Sequence, residues 1–376
     1  MTPVETSAET THDAVVKTFP CKSCGARLSF APGTKTLACG YCGAVNDIPK
    51  NSEEIQELDF ETYLTALAGK QESHEQVHVK CTNCGAEQTL AANLFAGQCS
   101  FCATPIVAQG YANRLVKPKS LIPFRIARNV AQDEFRKWIR GRWLAPSELK
   151  KYAQGDSAGI NGVYLPYWTY DCDTHSDYSG ARGINRQERY TTENSSGQTV
   201  TETRTRTDWT SVSGAVENKF DDVLVPASAT LVTLQTTLFG NRFLAWNTKA
   251  LVPYSEEFIT GFQAEAYQTG LADGYRAAKQ IIDGRIVQSI KADIGGDAQR
   301  VDSVSTQYSN ITFKHVLVPV WISAYRYRDK VYRFMVNGQN GEVQGESPKS
   351  GWKVFFLVVA VLVVLFIVLM MGGRRH

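Results

Sequence analysis

The pattern of apolar and polar positions divides the chain into a polar start, two small repeated units, a long central region and an apolar end. Residues 1–16 are polar and rich in Thr and Glu, and they are predicted to be disordered. In the first small unit, Leu28 and Phe30 lead through a Pro-Gly turn to Leu37, which is typical of strand, turn and strand. Between the units, residues 51–76 predict a short amphipathic linker helix.

The central region, residues 118–348, predicts one α+β domain with largely antiparallel pairing. Gly162 opens a segment of strongly β character, and Val316 opens an apolar run of the same kind. Ser255 and the two glutamates after it are typical of a helix start, and this helix is predicted to reach about Ile294. Two Asn-Gly pairs near the end of the domain predict hairpin turns.

The apolar end, from Val354 to Met371, is a run of 18 apolar residues. At a helical rise of about 1.5 Å per residue it would extend roughly 27 Å, which is enough to cross a bilayer. Trp and Lys precede it and two arginines follow it, as is typical of membrane boundaries. The sequence therefore predicts a transmembrane helix at 352–371, with membrane lipid as its partner.

Length and charge narrow the class of protein. The chain has 376 residues, 43% of them hydrophobic, which suffices for two or three folded units. The net charge of +3 creates no global field that would draw the whole molecule to nucleic acid. Any binding of nucleic acid would therefore depend on a local patch, such as the mild positive excess of the first small unit.

Eight of the nine cysteines form two quartets with the same C-x2-C-x14-C-x2-C spacing. A Cys-x-x-Cys turn brings two thiolates to one side of a backbone knuckle, and a second knuckle completes a tetrahedral four-sulfur site. Each unit is too small to bury a core, so a metal would hold it together. The sequence predicts two structural Zn²⁺ ions per chain, with these ligands: Cys21, Cys24, Cys39, Cys42, Cys81, Cys84, Cys99 and Cys102.

Other roles for the cysteines stay open at this point. Disulfides would need an oxidising compartment, but the N-terminus carries no secretory signal. Iron fits the same four thiolates. A catalytic metal would need an open coordination position, which four thiolates do not leave. The ninth cysteine, Cys172, lies in an aromatic-rich segment and is predicted to be a buried apolar side chain.

Reduced thiolates and the missing signal peptide predict that the bulk of the chain is cytoplasmic. With the apolar end, this predicts a tail-anchored, single-pass protein of the inner cell membrane. The predicted fold class is α+β, with two small zinc ribbons at 17–50 and 77–110, a mixed α+β domain with a largely antiparallel sheet, and one C-terminal transmembrane helix.

Two acidic groups in the central region suggest possible chemistry. The first group alternates along a predicted strand: Asp171, Asp173, His175 and Asp177. Such side chains project from one face and are potential metal ligands, but no second cluster follows nearby, so a solvated strand face is favoured. The second group is Asp221 and Asp222, which are adjacent and therefore diverge, so a turn or capping role is favoured over an acid–base pair.

Besides the Cys-x-x-Cys-Gly-Ala openings, several further segments of the chain are distinctive. They are Leu121-Ile-Pro-Phe, Trp143-Leu-Ala-Pro, Gly162-Val-Tyr-Leu-Pro-Tyr-Trp, Phe220-Asp-Asp-Val-Leu-Val, Leu317-Val-Pro-Val-Trp and Val336-Asn-Gly-Gln. In these features the chain, from Cys21 onward, resembles a family of bacterial membrane proteins with TFIIB-type zinc ribbons. Members of that family are often labelled primosomal protein N′ (replication factor Y) or superfamily II helicase.

The helicase label does not suit this sequence. The chain has no G-x-x-x-x-G-K-[ST] phosphate loop and no DEAH-like motif, so it lacks the parts that couple ATP hydrolysis to strand separation. The resemblance implies instead a membrane adaptor with no catalytic residues, associated with flotillin-like or phage-shock-type proteins in envelope stress. The alternatives are a membrane-tethered zinc-ribbon protein that binds nucleic acid, and an unrecognised enzyme within 118–348.

Overall fold

The structure is a computed structural model. It describes residues 15–17, 19–49, 54–67, 78–80, 87–89, 94–98, 105–109, 116, 118–146, 160–193, 197–228, 245–327 and 330–372. The strands are β1 (Val15–Lys17), β2 (Leu28–Phe30), β3 (Thr36–Cys39), β4 (Val45–Asp47), β5 (Leu58–Asp59), β6 (His78–Lys80), β7 (Glu87–Thr89), β8 (Leu94–Gln98), β9 (Pro105–Gln109), β10 (Ser120–Leu121), β11 (Asn161–Glu193), β12 (Thr199–Pro226), β13 (Val252–Pro253), β14 (Gln263–Glu265), β15 (Ala298–Tyr327), β16 (Lys330–Asn337) and β17 (Val343–Gly345). The helices are α1 (Phe60–Leu67), α2 (Arg128–Gly141), α3 (Glu256–Ile259), α4 (Leu271–Ile294) and α5 (Gly351–Gly372), with a 3₁₀ turn at Thr248–Ala250.

The predicted α+β class is wrong: the structure is mostly β, with 47% strand and 27% helix. Its main sheet is mixed and follows the order β1-β9-β8-β14-β11-β15-β10-β13, with β12 beside β11, and β5 and β16 beside β15. Two pairings in this sheet are parallel, β10 with β15 and β11 with β14. The sheet therefore draws on both ends of the chain rather than on one central domain.

Three long strands form the centre of the sheet, and β11 is 33 residues long. β15 pairs antiparallel with β11 on one side, and β12 pairs antiparallel with it on the other. Aromatic side chains are buried on both faces of β11, with Trp168 and Tyr170 on one face and Tyr167 on the other. A strand covered on both faces accommodates consecutive apolar residues, which is why this segment lacks a simple alternation.

The helix predicted from Ser255 to Ile294 is interrupted. α3 ends at Ile259, strand β14 follows, and the long helix α4 begins only at Leu271. The interruption begins at Gly261, whose φ of +90° is incompatible with an α-helix and favours glycine. β14 then pairs with both β8 and β11, so the sheet uses the residues that helix signals alone would have kept in one helix.

Helix α4 covers one face of the three long strands. Its apolar stripe repeats every four residues and is fully buried: Ala278, Ile282, Ile286, Ile290 and Ile294. At the start of the helix, Gly274 allows close approach to the sheet, because a Cβ there would lie 2.5 Å from the Tyr170 hydroxyl and 2.7 Å from Trp168. The tyrosine and the tryptophan donate hydrogen bonds to backbone carbonyls at this end of the helix, which fixes its position.

The C-terminal helix α5 overturns the predicted anchor. Among the described residues, no helix combines the length and the apolar character needed to cross a membrane. The predictions of a transmembrane helix, of membrane lipid as a partner and of a tail-anchored location in the inner membrane are therefore wrong.

Candidate metal centre

The first cysteine quartet comes together at one end of a small three-stranded sheet, β2-β3-β4, which we call ribbon 1 (residues 19–49). Cys21 and Cys24 lie in the turn before β2, whereas Cys39 ends β3 and Cys42 lies in the turn that follows it. The Sγ atoms of Cys21 and Cys42 are 3.7 Å apart, and so are those of Cys24 and Cys39. All four sulfurs lie within 4.8 Å of one another, so the quartet can bind a metal ion.

The two knuckles share one backbone geometry. Gly25 donates its N–H to the carbonyl of Cys21 at 2.8 Å, and Gly43 donates to the carbonyl of Cys39 at 3.0 Å. The φ angles of the two glycines are +72° and +71°, a region that side chains other than glycine rarely occupy. The repeated glycine after each Cys-x-x-Cys pair in ribbon 1 is therefore required by the turn that aims the two sulfurs the same way.

Backbone N–H groups favour the thiolate form of the buried cysteines. Ser23 N–H points at Cys21 Sγ with a separation of 3.4 Å, and Cys42 N–H points at Cys39 Sγ with a separation of 3.5 Å. Hydrogen bonds from the backbone of Ser23, and then of Cys24, lower the pKa of the Cys21 thiol to about 6. The N–H of Cys42 likewise lowers the pKa of Cys39. Metal ligation requires thiolates, so these N–H groups favour the ligating form at Cys21 and Cys39. Despite the backbone N–H of Ala26, the neighbouring thiols raise the pKa of Cys24 to about 12, so a cation is needed to make all four cysteines thiolates.

The spacing of the sulfurs fits a tetrahedral ion. With metal–sulfur bonds of ~2.3 Å, a tetrahedral four-thiolate site places its sulfurs ~3.8 Å apart, close to the two separations of 3.7 Å found here. Cys21 and Cys39 are buried, whereas Cys24 and Cys42 are exposed at the outer side. Four thiolates complete the coordination of such an ion, so an ion held here has a structural role.

Ribbon 1 is attached to the main sheet through Phe30. The Phe30 ring packs edge-on against Phe258, with centroids 5.2 Å apart, and its N–H donates to the Thr260 carbonyl at 3.0 Å. A second hydrogen bond joins Gly33 N–H to the Phe124 carbonyl at 2.9 Å. The metal centre therefore sits on a unit that is held rigidly against the body of the protein.

The second quartet, Cys81, Cys84, Cys99 and Cys102, lies outside the described residues. The strands around it are described: β7, β8 and β9 follow in the same order as β2, β3 and β4 and at similar distances from the cysteines. The pairing differs, because β7 pairs with β6 in a separate sheet, whereas β2 pairs with β3. β8 and β9 pair antiparallel, as β3 and β4 do. β9 additionally pairs with β1. The segment that precedes the first quartet in the sequence therefore adds a strand to the sheet beside the second quartet.

The acidic residues singled out from sequence part into two sets. One set lines a solvent-accessible strand face and consists of Asp173, His175 and Asp177. On this face the Glu217 carboxylate lies 3.4 Å from Nδ1 of His175. Asp171 is instead buried, at a bulge in β11 where the register shifts against both neighbouring strands. The structure therefore separates Asp171 from the row that its sequence spacing had suggested.

Asp171 and Asp222 meet a buried lysine that sequence reasoning did not single out. The Nζ atom of Lys314 lies 2.9 Å from Asp222, 3.5 Å from Asp171 and 2.9 Å from Glu57. The carboxylates of Asp171, Glu57 and Asp221 also lie within 4.8 Å of one another. We call Lys314, Glu57, Asp171 and Asp222 the lysine cluster. The signal in the sequence was weak: Lys314 lies two residues before the apolar run that opens at Val316, where a charged side chain that becomes buried needs a partner.

In the lysine cluster, burial disfavours the charged forms of the side chains, whereas hydrogen bonds and opposite charges favour them. Although burial disfavours its charged form, hydrogen bonds to Glu57 and Asp222 hold the pKa of Lys314 above its ordinary value. Burial, opposed in part by the N–H of Asp222, raises the pKa of Asp171 to about 6. Glu57 lies at the rim, and it joins the cluster to β5, which pairs with β15. The cluster therefore fastens the segment between the two ribbon units to the main sheet.

We expect Asp171→Asn to change how stability depends on pH. The pKa of Asp171 is raised on folding, so its contribution to stability is fully present below its unfolded pKa of ~3.9 and is lost as the pH rises through about 6. The asparagine variant lacks this loss. Its stability relative to the wild type should therefore rise from pH 5 to about pH 6, by at most ~1.4 kcal/mol per pH unit, and then level off.

Urea unfolding of both proteins at each pH measures this difference in the free energy of unfolding. Because the two proteins are compared at the same pH, any destabilisation by metal loss that they share cancels. Asp173→Asn, in the exposed row, is the matched control and should show no such trend. A difference between Asp171→Asn and the wild type that stays constant from pH 5 to pH 8 would contradict the assignment.

Comparison with known proteins finds one similar chain over nearly the full length. The sequence is 25% identical over 365 residues to the uncharacterized protein YdjG of Bacillus subtilis (strain 168), which covers 96% of this chain and 99% of that protein. No family model and no solved structure matches the chain. The similarity therefore extends across both cysteine quartets and the main sheet. The name of the Bacillus subtilis protein gives no activity.

Proposed function

We propose that the protein is a zinc-ribbon adaptor, a rigid scaffold that presents surfaces to a protein partner. The observation that supports this most is the four-thiolate geometry of ribbon 1, which leaves a bound metal no open position for a substrate. The metal then serves to hold a surface in shape. Because Phe30 fixes ribbon 1 to the main sheet, that surface is also held in a defined orientation.

The surface we assign to the partner lies at the second knuckle of ribbon 1. Tyr41, between the two cysteines of that knuckle, is 85% exposed, and Val45 close by is 65% exposed. Tyrosine is enriched at protein interfaces because it offers a large apolar ring with a polar tip. A metal-stiffened turn carrying both side chains reduces the ordering cost of binding, since the turn is already in place.

A comparison of three purified baits tests this function: wild type, a Tyr41→Ala/Val45→Ala double variant, and a Val130→Ala control on α2. Each is used as the full chain to capture proteins from the native cell, followed by quantitative mass spectrometry. We expect at least one protein to be retained by the wild type and the control and lost, by about tenfold or more, from the double variant. Equal capture by all three baits would refute this assignment.

Binding of nucleic acid is the second candidate, because the same exposed tyrosine could stack on a base and Lys22 and Lys35 are exposed in the same unit. The two candidates differ in their response to salt. Binding to phosphates weakens steeply as salt is raised, whereas an apolar protein contact does not. Fluorescence anisotropy with a labelled single-stranded oligonucleotide therefore separates them, and a steep salt dependence would favour nucleic acid.

We further propose that the ion is Zn²⁺ and that the second quartet holds another. The shared cysteine spacing, and the antiparallel pairing of the last two strands around both quartets, support the second site, and the four-thiolate donor set suits zinc. Metal analysis of the purified protein should give two zinc ions per chain. Iron in the same sites would give a coloured protein, so a colourless protein with two equivalents of zinc supports the proposal and a stoichiometry of one or less contradicts it.

A further inference from the structure

The two long strands β11 and β12 continue beyond the rest of the sheet as an isolated hairpin. β15 begins at Ala298, which pairs with Gly183, and past this point β11 and β12 pair only with each other among the described strands. We call residues 184–193 and 199–208 the arm. At ~3.3 Å per residue, it projects ~33 Å from the end of the sheet.

Within the part of the chain that the structure describes, the two edges of the arm pair with no further strand, and proteins ordinarily protect such edges. An unpaired edge presents a row of backbone N–H and C=O groups that can add another strand, and natural edges are interrupted by bulges, prolines or lysines. The arm contains no proline and no lysine, and its pairing from Ile184 with Asp208 to Glu193 with Thr199 is continuous, without a register shift. Its geometry is therefore suited to accept a further strand.

The charges on the arm are balanced. It carries four arginines and four acids: Arg186, Glu188, Arg189, Glu193, Glu202, Arg204, Arg206 and Asp208. A surface built for nucleic acid needs a positive excess, which the arm lacks. Alternating opposite charges are instead suited to a partner with the same alternation, and a second copy of this chain supplies one.

Antiparallel pairing of two β12 edges about a two-fold axis makes one residue face itself. If that residue is Thr203, near the middle of the arm, Glu202 faces Arg204 of the second copy, and the same contact repeats on the other side of the axis. Threonines then face threonines along the opposite face, because every second residue from Thr199 to Thr207 is a threonine. Opposite charges and Thr–Thr pairs directly across an antiparallel pair are both stabilising.

This register also extends pairs that exist within each arm. Arg204 contacts Glu188 at 3.0 Å, and Tyr190 donates its hydroxyl to Glu202 at 2.8 Å. Joining two arms would link these pairs into one row across four strands. Centring the pairing on Arg204 or on Glu202 would instead place like charges opposite each other, which is destabilising.

We propose that two copies of this chain associate through the β12 edges of their arms, antiparallel and centred on Thr203, to form a four-stranded sheet. The interface is isologous, so the association closes as a dimer and does not propagate. The arm thereby has a function distinct from that of ribbon 1, and the dimer would present two adaptor surfaces at once.

Sedimentation velocity on the purified full chain, in one mild detergent throughout, tests the dimer. Glu202→Arg and Arg204→Glu each place like charges across the axis, and we expect each to weaken self-association about tenfold. An equimolar mixture of the two variants restores opposite charges at both contacts, so it should associate as strongly as the wild type. Association through the exposed apolar side chains of α5 would be the same in all samples and would not depend on mixing.

Glu188→Arg is the matched control, because it breaks the intrachain contact to Arg204 and leaves the β12 edge unchanged. It removes one intrachain contact of the row but none across the axis, so it should weaken self-association much less than Glu202→Arg does, and circular dichroism should show that all variants are folded. The proposal is overturned by a wild type that stays monomeric, by a mixture no stronger than the single variants, or by a Glu188→Arg protein that is weakened as much as Glu202→Arg.

Discussion

Replacing Cys39 with serine is expected to abolish metal binding in ribbon 1 and to unfold that unit. Cys39 is buried at the end of β3, and its sulfur lies 3.7 Å from that of Cys24. Structural zinc contributes ~10–16 kcal/mol in comparable zinc peptides, far more than the apolar core of so small a unit. Loss of one of four ligands should therefore leave residues 19–49 without enough stability to hold their strands.

The effect should extend beyond the metal. Phe30 packs on Phe258 only while β2 is formed, so unfolding of ribbon 1 uncovers apolar surface on the main sheet. Metal content per chain should fall by one equivalent, and limited proteolysis should cut within 19–49. Cys172→Ala is the matched control, because Cys172 is buried in the core beneath α4 and away from the quartet. A Cys39→Ser protein with full metal content would show that Cys39 is not a ligand.

Replacing Lys314 with methionine is expected to destabilise the main sheet by about 3 kcal/mol. The lysine side chain is only 6% exposed and faces three carboxylates, so its removal leaves buried negative charge without compensation. Breaking a buried ion pair costs ~3–5 kcal/mol. We expect the lower end of this range, because Glu57 is 42% exposed and water screens it.

The loss should depend on pH with a definite sign. Without the lysine, the negative carboxylates repel one another in a poorly solvated site. Both effects disfavour the charged form, so the pKa values of the carboxylates rise on folding. Stability of the variant therefore increases as the pH falls, and the loss relative to wild type should be smaller at pH 5 than at pH 8.

Urea unfolding at both pH values measures this, with Lys219→Met as the control. Lys219 lies on β12 but is exposed, so its removal should change stability by less than ~0.5 kcal/mol. If Lys314→Met lost no more than that control, the lysine cluster would not fasten the segment at Glu57 to the sheet.

The sequence alone placed the elements whose shape depends on local chemistry. The cysteine quartet of ribbon 1 and its strand–turn–strand were both expected, because each follows from residues within one short segment. The Asn-Gly hairpin before β17 was confirmed in the same way. There the Asn337 side chain accepts the N–H of Gln339 at 2.8 Å, and Gly341 has a φ of +81°.

Elements that depend on distant partners were not predictable in this way. The helix signals after Ser255 are real, but pairing of β14 with β8 and β11 requires an interruption that no local pattern announces. The predicted transmembrane helix is wrong, since among the described residues no helix is long and apolar enough to cross a membrane. The lysine cluster combines residues from β11, β12, β15 and the segment before β5, so its members are far apart in the sequence.

The spacing of its cysteines determined the four-sulfur cluster of ribbon 1, because two Cys-x-x-Cys turns separated by one short hairpin bring their sulfurs together. Tertiary structure decided the rest. It made the protein mostly β by covering both faces of the long strands, it buried Lys314 among carboxylates, and it left the arm without a third strand beside it among the described residues. The physical reason is that burial and strand pairing depend on contacts between segments that are distant in the sequence. The sequence of any one segment does not determine these contacts.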